Sequence, residues 1–346
     1  MDFKYKLINW YSDNKRKLPW RETKNPYYIW LSEIILQQTQ VKQGLPYYEN
    51  FVAKYPTIFD LASASETEVL KLWQGLGYYS RARNLHATAK HIVNTFNGVF
   101  PNNYKDLLKL KGIGDYTASA ISSIAFKEVA AVVDGNVYRV LSRYFGIDTP
   151  INSTLGIKEF KTLASTLIDK EEPDTYNQAI MEFGALQCKP KNPDCNSCPI
   201  NESCIALQKK KVDTLPIKLK KTKVSVKHFN FLVYIDNNGK TLFEKRTHKG
   251  IWQNLYQFPL IESKKSLSSS DFDVLDLTDT ILNHIDFDYS LYNDEDIVHK
   301  LSHQHLYTKF WIINVKELPN DAVSIKSLKK LPTPVLISEF IEKFNF

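Results

Sequence analysis

The sequence predicts two domains of different class: an all-α domain over residues 1–207 and a smaller α+β domain over 224–346, joined by a basic stretch at 208–223. Three observations predict this. Apolar residues recur at three- and four-residue spacing through almost all of the first 207 residues, the mark of amphipathic helices packed on one another. After Val224 the texture changes to alternation of period two. All four cysteines fall in one short window, Cys188, Cys195, Cys198 and Cys204, at the end of the helical part. A chain of 346 residues, 43% hydrophobic and 24% charged, has the length and composition of two globular domains.

In the helical part the periodic segments are 2–13, 27–41, 45–54, 66–74, 80–96, 104–110, 116–126, 135–145, 157–168 and 175–187, separated by short turns bearing Gly, Pro or Asn. Val129–Val133 reads as a brief extended stretch that runs into Asp134-Gly135-Asn136. Lys209–Lys223, KKKVDTLPIKLKKTK, has little apolar periodicity and reads as a linker, either solvated or touching phosphate. Beyond it, Val224–Ile235, Thr241–Arg246 and His305–Val315 read as strands, with Asn237-Asn238-Gly239 as a hairpin turn. A Ser- and Asp-rich segment, 263–280, intervenes, and the last ten or so residues read as helix. No internal repeat is visible.

Charge is divided unevenly. Residues 1–225 carry 31 Lys and Arg against 22 Asp and Glu, whereas 226–346 carry 14 against 16, so the whole excess of +7 belongs to the first two thirds. A basic front part favours a polyanionic partner such as nucleic acid. No apolar run approaches the roughly 18 residues that cross a bilayer, and the N-terminal MDFKYKLINWYSDNKRK has no apolar core of signal-peptide length. A cytoplasmic protein without a membrane partner is expected. Thiols gathered in one window of such a chain point to a metal centre rather than to disulfides.

The cysteine spacing is C-x6-C-x2-C-x5-C within CKPKNPDCNSCPINESC. Four thiolates on a short Pro-rich loop can close around tetrahedral zinc or a [4Fe–4S] cluster, and spacing alone does not separate the two. Upstream, Gly112-Ile113-Gly114 follows a helix, and Asp115 is placed to cap the helix from Tyr116. Such a turn is a plain helix connection or, through exposed amides and Lys111, a phosphate grip. Glu33, in IWLSEIILQQTQV, shares a helix face with Ile29, Trp30, Leu36 and Gln37. There it is either a carboxyl with a raised pKa or one reaching past the apolar stripe to water. Asp134 stands where a helix N-cap belongs, which keeps a carboxylate ionised. One neutral acid and one charged carboxylate are the pair that cleaves a glycosidic bond.

The cysteine pattern, downstream of the Gly-x-Gly and Asp-Gly-Asn turns, resembles that of the [4Fe–4S] helix-hairpin-helix DNA glycosylases. WRETKNPYYIWLSEIILQQTQV at 20–41, GLGYYSRARNL at 75–85, LKGIGDYTASAI at 110–121 and VDGNVYRVLSR at 133–143 narrow the resemblance to the A/G-specific adenine DNA glycosylases of MutY type, over residues 5–207. It implies one structural [4Fe–4S] cluster on the four cysteines and a phosphate grip at Lys111, Gly112 and Gly114. It implies that Glu33 protonates N7 of a flipped-out adenine and that Asp134 stabilises the oxocarbenium ion, with Tyr116 and Asn136 in support. Trp20, Arg21 and Gln178 would line the adenine pocket. Gln38 and Tyr78 would wedge into the base stack, with Thr39 and Leu76 close by, while Arg81 and Arg83 meet phosphates.

Tyr116 also separates relatives. Endonuclease III-type members carry there a lysine that forms a Schiff base; a phenol cannot, so a monofunctional glycosylase is expected. GIWQNLYQFP at 250–259 and LSHQHLYTKFW at 301–311 resemble the Nudix-like lesion-recognition domain of the same family. There Ser302 and His303 would bond around 8-oxoguanine, and Leu301 replaces a common Phe. After Gly250 the acidic magnesium-binding run of a Nudix hydrolase is missing, so recognition and not hydrolysis is expected. The implied partner is double-stranded DNA with an A·8-oxoguanine or A·G mismatch, bound by a monomer in the cytoplasm at the nucleoid. An endonuclease III-like enzyme for oxidised pyrimidines, a Nudix nucleotide hydrolase and an inactive iron–sulfur DNA-binding regulator are the competing readings.

Overall fold

The computed structural model describes residues 3–219, 224–275, 277, 280–284, 287–344 and 346. Its helices up to the cysteine window are α1 (Phe3–Asn14), α2 (Pro26–Ile35), α3 (Val41–Lys54), α4 (Ile58–Ser63), α5 (Glu66–Leu72), α6 (Ser80–Phe96), α7 (Tyr104–Leu107), α8 (Asp115–Phe126), α9 (Gly135–Phe145), α10 (Thr154–Leu167) and α11 (Pro173–Leu186). A short α12 (Ile205–Gln208) follows it. Start signals are local: Asn25 caps α2 ahead of Pro26, Ser65 and Glu68 form a capping box on α5, and Ser153 caps α10. Trp30, Leu31 and Ile35 of α2 are buried, each apolar side chain contributing about 1.5–3 kcal/mol of burial.

The chain divides into two compact units, Met1–Ser63 with Asn84–Lys220, and Ala64–Arg83 with Lys221–Phe346. The second is therefore discontinuous, in contrast to the boundaries 1–207, 208–223 and 224–346 expected above. Residues 64–83 are tied to the C-terminal residues by Tyr79 Oη donating to Thr333 O (3.3 Å), Gln74 Nε2 to Ser338 Oγ (3.0 Å), Arg83 Nη1 to Gln253 O (2.8 Å) and Asn254 Nδ2 to Glu66 Oε1 (2.6 Å). Much of the expected linker is also held. Leu215 O accepts from Arg143 Nε, Ile217 O from Ile151 N, and Leu219 N donates to Asn152 Oδ1. Its residues 220–223 lie outside the described ones.

Three local expectations change. The helix expected over 27–41 stops at Ile35, with Leu36 as its C-cap. Val129–Val133 forms no strand. Asn177 serves its backbone instead, accepting from Val132 N and donating to Ala130 O, while Lys161 donates to Ala131 O. Asp115 is the first residue of α8 and not its cap, which is Gly114. The Asp115 carboxylate accepts from Tyr104 Oη (2.6 Å) and Lys161 Nζ (2.9 Å).

In the second unit, β1 (Ser225–Asp236) is followed by β2 (Lys240–Thr241), β3 (Glu244–Lys245), β4 (Tyr256–Gln257), β5 (Leu260–Ser263), β6 (Phe287–Leu291), β7 (Ile297–Lys300), β8 (Gln304–Val315) and β9 (Val323–Ser324). β1 and β8 run parallel at the centre of a five-stranded sheet; β5 flanks β1, and β6 and β7 both flank β8, all antiparallel. Asn237–Gly239 turns the chain, but into a separate ladder of β2 with β9. The expected strand 241–246 is split between β2 and β3. The Ser- and Asp-rich segment contains a short helix, α13 (Ser269–Asp273), and the chain ends in α14 (Val335–Lys343). Side chains alternate across the sheet: Phe310 stacks on Phe340 of α14 at 4.0 Å, and Trp311 faces away to stack on Phe272 of α13 at 4.2 Å.

Candidate active site

One cavity of the helical unit is lined by Trp20, Arg21, Glu33, Thr39, Tyr116, Asp134, Asn136 and Gln178. These eight sequence candidates, contributed from six separate stretches of chain, meet in one place. Glu33 projects from α2, a helix buried on nearly every side. Burial raises its carboxyl to about 7. A hydrogen bond from Tyr116 and the Arg21 charge oppose that rise, and the Asp134 charge adds to it. The Tyr116 phenol is itself held protonated by burial and by Glu33, and its oxygen lies 3.4 Å from Met181 Sδ.

Asp134 caps α9 as expected. Its Oδ1 accepts from Asn136 N (2.9 Å) and Val137 N (2.8 Å), and Oδ2 accepts from Asn136 Nδ2 (2.7 Å). The expectation of a carboxyl shifted toward its charged form needs correction. Burial outweighs these bonds and the Arg139 charge, so the Asp134 carboxyl is raised. The ionised form nevertheless uses all three donors, which the neutral acid does not.

Behind Asn136, further support comes from residues the sequence did not single out for that role. Arg139 donates from Nη2 to Asn136 Oδ1 (2.8 Å) and Gly184 O (2.5 Å), and from Nε to Cys188 O (2.7 Å). Gly184 lets α11 approach: a Cβ there would lie 2.6 Å from Asn136 Cβ and 2.9 Å from its carbonyl oxygen. Gly184→Ala is therefore expected to displace the Asp134 turn. Any cleavage that depends on the Asp134 carboxylate should fall by roughly 100-fold, with a stability loss of about 1–3 kcal/mol from overpacking. Single-turnover kinetics beside thermal melts check this; an unchanged rate would mean that the turn shifts freely.

The other candidates lie elsewhere. Gln38 is exposed and Tyr78 is half exposed, both in left-handed backbone (φ 55° and 49°), a strained state found at ligand-contacting positions. Leu76, Tyr78, Ser302 and His303 line a second cavity, within the second unit, together with Trp252 and His299. Ser302 Oγ lies 3.5 Å from His303 Nδ1. Arg81 does not reach outward to phosphate as expected. It is buried, with its guanidinium over the rings of Trp73 (5.0 Å) and Tyr78 (5.6 Å). Arg83 is occupied by Gln253 O. At the hairpin turn Gly112 has φ 79°, and a Cβ there would meet Asn84 Cβ at 2.8 Å. Beside Gly114 there is open space, and the Lys111 side chain is exposed.

Cys188, Cys195, Cys198 and Cys204 line one cavity with Arg143, whose Nη1 lies 3.4 Å from Cys188 Sγ. Burial, with the neighbouring cysteines adding to it, raises the Cys198 thiol to about 11 and raises Cys195 and Cys204. Four crowded thiols of this kind ionise readily only around a positive centre. Among the described residues no three His, Cys, Asp or Glu side chains are grouped so as to hold one metal ion. The four thiols are a donor set that suits a metal centre.

Comparison with known proteins identifies the family. Residues 31–162 match the HhH-GPD superfamily base excision DNA repair proteins, and residues 230–343 match the NUDIX domain. An adenine DNA glycosylase of Buchnera aphidicola subsp. Baizongia pistaciae is 37% identical over 98% of this chain and 96% of its own length. The chain belongs to the adenine DNA glycosylase family. A second member, from Buchnera aphidicola subsp. Schizaphis graminum, is 40% identical over 76% of both chains. Among solved structures, a thermostable thymine-DNA glycosylase is 32% identical with a TM-score of 0.56, covering 60% of this chain and 95% of that one. The helical unit thus has the helix-hairpin-helix glycosylase fold, and the strand-rich domain after it is the Nudix-like part of an adenine DNA glycosylase. Among the described residues no helix is long and apolar enough to cross a membrane.

Proposed function

We propose that this glycosylase hydrolyses the N-glycosidic bond of adenine mispaired with 8-oxoguanine or G, leaving an abasic site. The observation that carries the reading is the pair of carboxyls in one cavity, with Glu33 raised to about 7 and Asp134 held by three N–H donors. Glu33, protonated, gives its proton to N7 of the flipped adenine. The C1′–N9 bond breaks, its electron pair leaves with the base, and the oxocarbenium ion forms beside the Asp134 carboxylate. Asp134 stabilises that cation by its charge or through a transient covalent bond. Water then adds to C1′, and the proton it loses restores Glu33. Tyr116 and Asn136 hold the two carboxyls, while Trp20, Arg21, Thr39 and Gln178 enclose the base.

No lysine among the described residues lines this cavity, which supports glycosylase action without a Schiff-base lyase step. The second cavity supports lesion reading, with Leu76 and Tyr78 from one segment and Ser302 and His303 from another. Gln38 and Tyr78 would fill the stack. The amides at Gly112 and Gly114, with Lys111, would hold a phosphate. The four cysteines would hold one [4Fe–4S] cluster, which when bound supplies a structural tie for the loop of Lys189 and Lys191 and takes no part in excision.

The test is a labelled duplex with one A opposite 8-oxoguanine, run beside A·G, A·T and thymine-glycol·A duplexes with and without hot alkali. The A strand is expected to break only after alkali, and not in A·T. Nicking at thymine glycol without alkali would place the enzyme with the endonuclease III type instead.

A further inference from the structure

We propose that Glu182 is a positioning residue for excision: it holds Arg16 and Arg21 as one rigid pair on the wall of the cavity that contains Glu33, and so sets the net charge that Glu33 faces. The proposal rests on the reading of Glu33 as the acid. Glu182 projects from α11, and its side chain is 1% exposed. Its Oε1 accepts from Arg16 N (2.9 Å), Arg16 Nε (2.9 Å) and Arg21 Nη1 (2.9 Å). Its Oε2 accepts from Arg16 Nη2 (2.6 Å) and Arg21 Nη2 (2.7 Å). Arg21 Nη1 also donates to Arg16 O (3.1 Å), which locks the two arginines to each other. The Arg21 guanidinium lies 5.6 Å over the Tyr11 ring, and Tyr11 Oη donates to Gln178 Oε1 (3.3 Å). Arg16, Arg21, Gln178 and Glu182 all line the cavity.

This arrangement has an electrostatic consequence. Two guanidiniums and one carboxylate leave a single positive charge on that wall. The charged and titratable groups that line the cavity with Glu33 are Arg16 and Arg21, the latter from the Pro19–Arg21 turn, Tyr116 from α8, Asp134 before α9 and Glu182 from α11, beside the neutral Gln178 and Met181. Without Glu182 the wall would carry two positive charges, which favour the ionised form of Glu33 and weaken it as an acid. Burial alone would raise Glu182, but the bonds from Arg16 and Arg21 bring it down to about 2, so it keeps its charge across the working range.

Two substitutions of opposite sign test this in the full-length enzyme, by single-turnover excision from an A·8-oxoguanine duplex between pH 5 and 9. Glu182→Gln removes a negative charge. The midpoint at which the rate falls with rising pH should move down by about one unit, with roughly a tenfold loss at pH 7.5. Arg16→Gln removes a positive charge at a third-exposed site and should move the midpoint up. Rates that fall equally at every pH, with neither midpoint moved, would leave Glu182 a purely structural residue and overturn the proposal. If Glu182→Gln does not fold, the direction of the Arg16→Gln shift decides alone. Glu33→Gln separates this from the reading beneath it: a pH limb that survives that change overturns Glu33 as the acid, whereas a limb that disappears leaves the Glu182 result to be judged by itself.

Discussion

Glu33→Gln is expected to reduce adenine excision by roughly 10²- to 10⁴-fold, the contribution of a positioned general acid. Glutamine keeps the shape of the side chain and can still accept from Tyr116, but it has no proton to give to N7. In the unaltered enzyme the rate should fall as pH rises through about 7, because the carboxyl works only while protonated. Stability follows the same direction. The folded-state value lies above the ordinary 4.5, so ionised Glu33 opposes folding. The fold is not penalised below pH 4.5, loses stability between 4.5 and 7, and carries the full cost above 7. That cost is on the order of 3 kcal/mol. Glu33→Gln should therefore melt higher than the parent at pH 8 while being almost inactive. Single-turnover kinetics and melting curves at pH 5 and pH 8 check both halves; a variant that excises adenine at the parental rate would remove Glu33 from the mechanism.

Asp134→Asn should be nearly as damaging, roughly 10³-fold in rate, through loss of the charge beside the oxocarbenium ion. The asparagine oxygen can still accept from the backbone N–H groups of Asn136 and Val137. Its amide nitrogen would then face the Asn136 Nδ2 donor, which now meets Asp134 Oδ2 at 2.7 Å. That conflict costs about 1 kcal/mol, the size of a weakened cap. Removal of a buried carboxyl, whose ionised form burial disfavours, offsets part of it. The melting temperature should move little and mismatch-DNA affinity should persist. A slow variant that also fails to bind would mean that the turn had collapsed.

The helices with strong local signals were legible from the residues alone. α6 and α9 run over the segments that their periodicity marks, and the Asp134 cap is where the Asp-Gly-Asn turn indicates. What local pattern could not show is where a segment is answered by a distant one. Val129–Val133 is apolar and β-branched, yet its polar backbone is served by Asn177 and Lys161. Apolar spacing continues past Ile35 into Leu36, but the chain leaves the helix there and reaches Gln38 in left-handed backbone. Arg81 sits in a basic-looking run and is buried over two rings. In the candidate site, Glu33, Asp134, Tyr116 and Gln178 were legible by resemblance, whereas Arg16, Arg139, Glu182 and Gly184 were not assigned. One cue was present. Glu182 is charged in the apolar run AIMEFGAL and stands four residues after Gln178, on the same helix face.

The discontinuity of the second unit also bears on how the protein is made. Residues 64–83 leave the ribosome early, whereas Gln253, Thr333 and Ser338, to which they bond, emerge much later. The central strands of that unit impose the same wait, since β1 pairs in parallel with β8 along its whole length and β8 follows it only after the intervening strands. The nascent chain must therefore carry the 64–83 segment unfinished while the helices around it in sequence are completed, an interval in which apolar surface stays open to chaperones or to aggregation. For the same reason, a nonsense codon after the helical unit would release residues 64–83 without the partners that Gln74, Tyr79 and Arg83 bond in the full chain.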